Sequence, residues 1–286
     1  LDWVQSICQL SSEIIPIDGK TLRRSFDRAK DKPAIQMVSA FARGAGLVLA
    51  QQKVDDDSNE ITAIPKLLQL FELKGHIITI DAMGCQQEIA REIVDKGGDY
   101  VLSLKKNQLD LYEDAKLLIE DAIANDSPNI KIDKYQTTNG EHGRIEVRKY
   151  YATSDIGWLK KRHSFKNMKS IAMVESHRTV NKHTSIQRRF YISSLPANAE
   201  IIGKSIRGHW AIENSLHWVL DISFNEDQSR IRDEIASQNM AIIRHTALNC
   251  LKKAKPYFKN YSLKGLRKAA GWDEDILQRI IQANFS

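Results

Sequence analysis

Two aspartates end apolar runs in the same manner. Asp18 closes IIPID and Asp81 closes HIITID, with GKTLRRS following the first and AMG the second. A carboxylate at a strand end has an ordinary structural use, because Asp initiates turns and caps helices. Two of them at matching strand ends have another. If the strands are neighbours, strand spacing brings the carboxylates within a few ångströms, where their repulsion raises a pKa unless a divalent cation offsets it. Hard oxygen ligands of this kind suit Mg²⁺ or Mn²⁺, which keep waters and accept phosphate oxygens as further ligands.

A third carboxylate would complete such a set, and the segment RGHWAIENSLHWVLDISFNED offers Glu213, with Asp221, Glu226 and Asp227 as rivals. Helical spacing can place Glu213, His217 and Asp221 along one face, with Ile212, Leu216 and Leu220 anchoring the helix against a sheet. Spacing alone leaves the choice open. Lys20, Arg23, Arg24, Lys105 and Lys106 flank the aspartate-bearing strands and are candidate phosphate contacts, the alternative being a solvated basic surface. His217 and Trp218 could stack on a frayed base, although a tryptophan on an amphipathic helix is more often core.

The elements that must position these groups follow from periodicity. Three strands, IIPID, AIQMVSAFA and LVLAQQKV, with RGAG as the turn between the last two, read as an antiparallel meander. A helix capped by Ser58 or Asn59 and stopped by Gly75 follows, then strand HIITID, a helix closed by a Gly pair, strand DYVLSLKKN and a third helix. This is a mixed α/β plan whose central strands are covered on both faces. After Pro128 the texture changes to alternating Arg- and Thr-rich stretches, read as a β-rich insertion. The expected organisation is a linker or the end of a preceding region over 1–13, a catalytic α/β portion over 14–127, the insertion over 128–198, helical completion over 199–254 and a helical tail over 255–286.

With 286 residues, 42% hydrophobic and 27% charged, the chain can bury a real core. Its apolar runs fall far short of the roughly 18–20 residues that span a bilayer, so a cytoplasmic protein without a membrane partner is the expectation. Cys8, Cys85 and Cys250 form no CxxC pair and are read as three buried thiols. The net charge of +6 is segregated. Residues 141–190 carry twelve Lys and Arg against four acids, and residues 235–272 carry eight and no acid. Clustered positive charge fits a polyphosphate partner, since each neutralised phosphate releases condensed counterions. No Gly-rich phosphate loop, nucleophile elbow or Cys/His metal set occurs, which argues against a purely metabolic enzyme.

The motifs IDGKTLRRS, LVLAQQKVDDDSNEITAIPKLL, TIDAMGCQQEIA, GGDYVLSLKKNQ, HGRIE and HWAIENSLHWVLDISFNEDQSRIR, in that order over roughly 14–253, resemble the DDE transposases of bacterial insertion sequences, specifically the H-repeat-associated group. The resemblance implies an RNase H-like domain with one Asp on its first strand, one on its fourth and a Glu on a helix past the β-rich insertion. By motif these are Asp18, Asp81 and Glu213. It further implies metal-dependent cleavage and joining of double-stranded DNA with Mg²⁺ or Mn²⁺, two ions when DNA is bound, and a homodimer in the DNA complex. Related transposases carry a Tyr, Arg, Glu, Lys signature around the glutamate. Here Ile206 stands at the Tyr position, His209 at the Arg position and Leu220 at the Lys position, so contacts made by that signature do not transfer residue by residue. Arg207, His209 and His217 are the expected DNA contacts on this helix. Alternatives are a truncated, inactive remnant and an RNase H-like nuclease or DNA-binding protein without strand joining.

Overall fold

The computed structural model describes residues 13–56, 58–125, 127–141 and 143–285. Cys8 and nearly all of the expected 1–13 linker lie outside them. The chain divides into two compact units, residues 1–72 with 210–286, and residues 73–209.

The first unit opens with the expected meander. Strands β1 (Ile14–Thr21), β2 (Gln36–Ala42) and β3 (Leu47–Lys53) pair antiparallel in the order β3-β2-β1. Gly46 closes the β2–β3 turn at φ 71°, a left-handed conformation that glycine adopts without steric cost. Ile15, Pro16 and Ile17 are buried, which is why this strand begins as a continuous apolar run; Asp18 and Lys20 then emerge half-buried on one face. Helix α1 (Glu60–Leu68) is capped by Asn59, whose side chain accepts from the Ile61 N–H. It ends well short of Gly75. The Leu70 N–H bonds the Leu67 carbonyl in a tighter turn, and the apolar residue that looked like another helical position, Phe71, is buried from a non-helical segment.

The second unit is built on β4 (Ile77–Ile80) and β5 (Asp99–Leu104), which pair in parallel with Ile80 opposite Leu102. Helix α2 (Gln87–Asp95) makes the crossover that a parallel pair requires, and α3 (Leu109–Ala124) follows β5. Strands β6 (Asp133–Glu141), β7 (Arg144–Thr153), β8 (Ser170–Val180) and β9 (His183–Ser193) then form an antiparallel array. Strand β9 pairs with β5, Leu102 opposite Ile192, so the order within this unit is β4-β5-β9-β8-β7-β6. The chain is thus mixed α/β with a large sheet and helices. Helix α4 (Gly157–Arg162), between β7 and β8, was not legible in the sequence because GWLKKR is too short to show a period. Helix α5 (Ala199–Ile212) packs Ala199, Ile202 and Ile206 on Tyr150, Val174 and Tyr191. A Cβ at Gly203 would lie 2.8 Å from the Tyr150 ring, so this close helix approach requires glycine.

Returning to the first unit, α5 leads into a π turn over Glu213–His217 and then α6 (Trp218–Phe224). Ile212, Leu216 and Leu220 are fully buried against Phe41, Val48 and Leu248, the anchoring expected from the sequence. Each such side chain contributes roughly 1.5–3 kcal/mol when fully buried. Helices α7 (Glu234–Ala254), α8 (Leu263–Ala270) and α9 (Glu274–Phe285) complete the unit, with Leu251, Phe258, Leu266 and Ile280 sharing one core. Trp218, for which the core is the commoner of the two readings, is 61% exposed. It lies off the 212/216/220 seam, which carries the fully buried side chains of this stretch. Cys85 is buried and its thiol is pushed up to about 12 by that burial, with the Asp81 charge adding to the effect, whereas Cys250 is only half-buried.

Candidate active site

On β1, Asp18 and Lys20 are two residues apart and so share a face, separated by roughly 6.6–6.8 Å along the strand. His217 and Asp221, four residues apart on the facing helical segment, are separated by roughly 6 Å of rise. The two spacings match, and the pairs meet. His217 Nδ1 lies 3.6 Å from Asp18 Oδ2, and Lys20 Nζ donates to Asp221 Oδ1 at 2.7 Å.

The π turn explains how a spacing of four stays on one face. In an ideal α-helix residues i, i+4 and i+8 drift about 80° around the axis. One wider turn, here closed by the Trp218 N–H on the Glu213 carbonyl, takes back much of that drift. Single π turns inside helices occur frequently at functional sites. Glu213 opens this turn and is exposed, whereas its three rivals are drawn towards Lys20. Besides Asp221, the Lys20 ammonium donates to Asp227 Oδ1 at 3.0 Å and lies 3.8 Å from Glu226 Oε2. Burial opposes the Lys20 charge, but the hydrogen bonds to Asp221 and Asp227 and the neighbouring carboxylate charges outweigh it and raise its pKa. Glu226 is 2% exposed; burial pushes its carboxyl up, against the pull of Lys20 and Arg244. Lys20 therefore points inward to an acidic cluster, while Arg23 is largely exposed, 3.2 Å from Asp227, and Arg24 is exposed.

In the second unit, Asp81 follows β4 and begins a turn: its Oδ1 accepts from the Met83 N–H at 2.9 Å and the Gly84 N–H at 3.4 Å. The ordinary structural use of the residue is thus real, and it engages Oδ1 alone. The turn is braced from the end of β5, where Asn107 Nδ2 donates to the Ala82 carbonyl at 2.6 Å and Gln108 Nε2 to the Cys85 carbonyl at 3.0 Å. Lys105 and Lys106, which precede these amides, are exposed. His209 is held from β4, its Nδ1 3.1 Å from Thr79 Oγ1. Burial lowers its pKa, while the charge of Asp81 works in the other direction. Arg207 is exposed on α5.

Among the described residues no group of three or more His, Cys, Asp or Glu side chains forms a ready cage for a metal ion. Carboxylate oxygens are nevertheless the donors that a hard cation takes. Asp18 is half-buried, Asp81 commits one oxygen to its turn, and Glu213 is exposed, and Mg²⁺ is commonly held by one or two carboxylates with waters and substrate phosphates rather than by an all-protein cage.

Behind Lys20 and His217 lies His245, buried on α7 and missed by sequence reading because it sits within a basic helix. Its Nδ1 has no hydrogen-bond partner. Burial, followed by the charges of His217, Lys20, Arg244 and Lys252, lowers its pKa from 6.5 to about 3. The unfolded chain therefore binds the extra proton between these values. Stability from this group is complete above pH 6.5 and falls as the pH drops towards 3, with a slope approaching about 1.4 kcal/mol per pH unit. Urea unfolding at stepped pH is expected to show that slope in the wild type and a shallower one in His245→Phe; identical slopes would contradict it.

The Transposase DDE domain family matches residues 9–250. The chain is 43% identical over 260 residues to "Putative transposase YncI" of Escherichia coli O157:H7, covering 89% of this chain and 66% of that protein. It is 38% identical over 278 residues to "H repeat-associated putative transposase YhhI" of Escherichia coli strain K12, covering 94% and 72%. The similarity thus spans about two thirds to three quarters of the length of these relatives. Among the described residues no helix is long and apolar enough to cross a membrane.

Proposed function

The chain belongs to the DDE transposases, with H-repeat-associated relatives, and we propose that it binds the ends of an insertion sequence and performs metal-dependent phosphodiester hydrolysis and strand transfer. The observation that carries this reading is the family match running from before Asp18 to beyond Glu213. We read the meander followed by the parallel β4–β5 pair as an RNase H-like core. In this reading Asp18, Asp81 and Glu213 hold Mg²⁺ or Mn²⁺, up to two ions with DNA bound. Such ions lower the pKa of a bound water and offset charge on the leaving 3′ oxygen. The protein supplies the rest by position. The backbone N–H groups on Asp81 Oδ1 fix that carboxylate, and the β1 pairing with β2 fixes Asp18 opposite Ser39.

Arg23, Arg24, Lys105, Lys106 and Arg207, all exposed, are the proposed phosphate contacts. Lys20, His209 and His217, each engaged inside its unit, act on DNA indirectly by holding their elements. The complex is proposed to be a homodimer on double-stranded DNA in the bacterial cytoplasm. The test is cleavage of a duplex carrying the flanking inverted repeat: nicking at the element end is expected with Mg²⁺ or Mn²⁺, to stop with chelator and to resume on adding the ion back. Cleavage indifferent to chelator, or binding with no cleavage under any divalent ion, would sink the reading.

A further inference from the structure

Lys252, on the last turns of α7, points into the first unit rather than to solvent. Its Nζ donates to the Ser215 carbonyl at 2.8 Å and to the Gly46 carbonyl at 2.8 Å, and it lies 4.6 Å from the centroid of the Phe41 ring. No carboxylate stands within ion-pair distance of it among the described residues, and burial alone lowers its pKa to about 8. An ammonium is costly to desolvate without a counter-ion. A lysine held this way needs a structural return, and its partners show what that is: Ser215 is the middle residue of the π turn that begins with Glu213, and Gly46 is in the β2–β3 turn.

We propose that Lys252 is a positioning residue for the third carboxylate, its ammonium pinning the Ser215 carbonyl so that the π turn persists and Glu213 keeps its direction. A helix can drop a π turn by shifting to α-type bonds, which rotates every residue of the turn about the axis. Charge-assisted bonds are roughly twice as strong as neutral ones, so one such bond to a mid-turn carbonyl opposes that shift. The Phe41 ring adds a favourable seat for the cation, and Phe41 itself packs against Ile212, Leu216 and Leu220 on the same stretch. Asn249, one turn earlier on α7, has a different role. It pairs with both the N–H and the carbonyl of Val48, at 2.9 Å each, docking the helix on β3 without touching the π turn.

The inference rests on the proposed role of Glu213 for its consequence in catalysis, but its geometry is read independently by hydrogen exchange on the full chain. Lys252→Met is expected to lose at least tenfold protection in the peptide covering Glu213–Trp218, Lys252→Arg to retain most of it, and Asn249→Ala to loosen α7 and β3 without a selective loss there. In the cleavage assay, Lys252→Met is expected to lower kcat ten- to a hundredfold with the Kd for DNA within twofold. Wild-type protection of that peptide in Lys252→Met, or an equal loss in Asn249→Ala, would overturn the proposal. Should Lys252→Met not fold, NMR of the wild-type Lys252 ammonium decides: slowly exchanging protons are expected, and fast exchange refutes the pin. A wild type without cleavage would count against the DNA-cutting reading alone, leaving the exchange result intact.

Discussion

Replacing Glu213 by Gln is expected to lower Mg²⁺-dependent strand cleavage at least about a thousandfold, a loss of roughly 4 kcal/mol of transition-state stabilisation, with DNA binding retained. Gln keeps the size and polarity of the side chain and removes the charge a metal ion needs. Asp18→Asn and Asp81→Asn are expected to match it, since groups acting as a unit show similar losses singly. Asp221→Asn, Glu226→Gln and Asp227→Asn are expected to act differently, because all three carboxylates face Lys20. Their cost should appear mainly in thermal stability, with cleavage by the remaining folded protein within about tenfold of wild type, as for changes that act through position rather than charge at the reacting atoms. A Glu213→Gln protein that cleaves normally, beside an Asp221→Asn or Glu226→Gln protein that folds but does not, would move the third ligand into the acidic cluster.

The sequence made this choice hard for a physical reason. Glu213, Asp221, Glu226 and Asp227 fall within fifteen residues, and helical spacing treats positions four apart as equivalent. What separates them is a partner some two hundred residues away, Lys20, and long-range pairing leaves no local pattern. The meander, the end of β4 before Asp81 and the 212/216/220 seam were legible because burial writes them as local periodicity, whereas Asp18, expected at a strand end, lies inside β1, whose pairing with β2 continues to Thr21. Strands β8 and β9 could be outlined, but not the pairing of β9 with β5, which is again non-local. The π turn was invisible for a subtler reason: its residues, ENSLH, have no distinctive composition, and the turn exists through packing on Phe41 and contact with Lys252. Lys252 itself sits in LKKAK, which reads as a solvated basic helix end. Of the two readings open for Trp218, core and base stacking, its exposure disfavours the core, because the residue lies off the 212/216/220 seam.

The same distant pairing that obscured the site gives the largest expected effect on stability. Lys20→Met is expected to cost about 3–5 kcal/mol, the range for removing one partner of a buried ion pair, because Asp221, Glu226 and Asp227 would be left facing one another with little but Arg23 and Arg244 nearby. The Lys20 side chain is only 11% exposed and that of Glu226 only 2%, so water cannot screen the resulting repulsion well. The deficit should depend on pH in a definite sense. Burial already raises the Glu226 pKa and Lys20 opposes that rise; without Lys20 the folded-state pKa moves further above the unfolded value. Folding of the variant then takes up a proton, so the protonated cluster is tolerated at low pH and the loss grows as the pH rises through the folded-state pKa. Urea unfolding of both proteins at stepped pH checks this, and a deficit that is constant or larger in acid would refute it. Binding to duplex DNA gives an independent reading of the same substitution. Were Lys20 to neutralise a phosphate, its removal would reduce the slope of log K against log salt by about 0.9. A lysine spent on Asp221 and Asp227 neutralises none, so the slope is expected to be unchanged at a temperature where both proteins are folded, whereas Lys105→Met, at an exposed position, should reduce it.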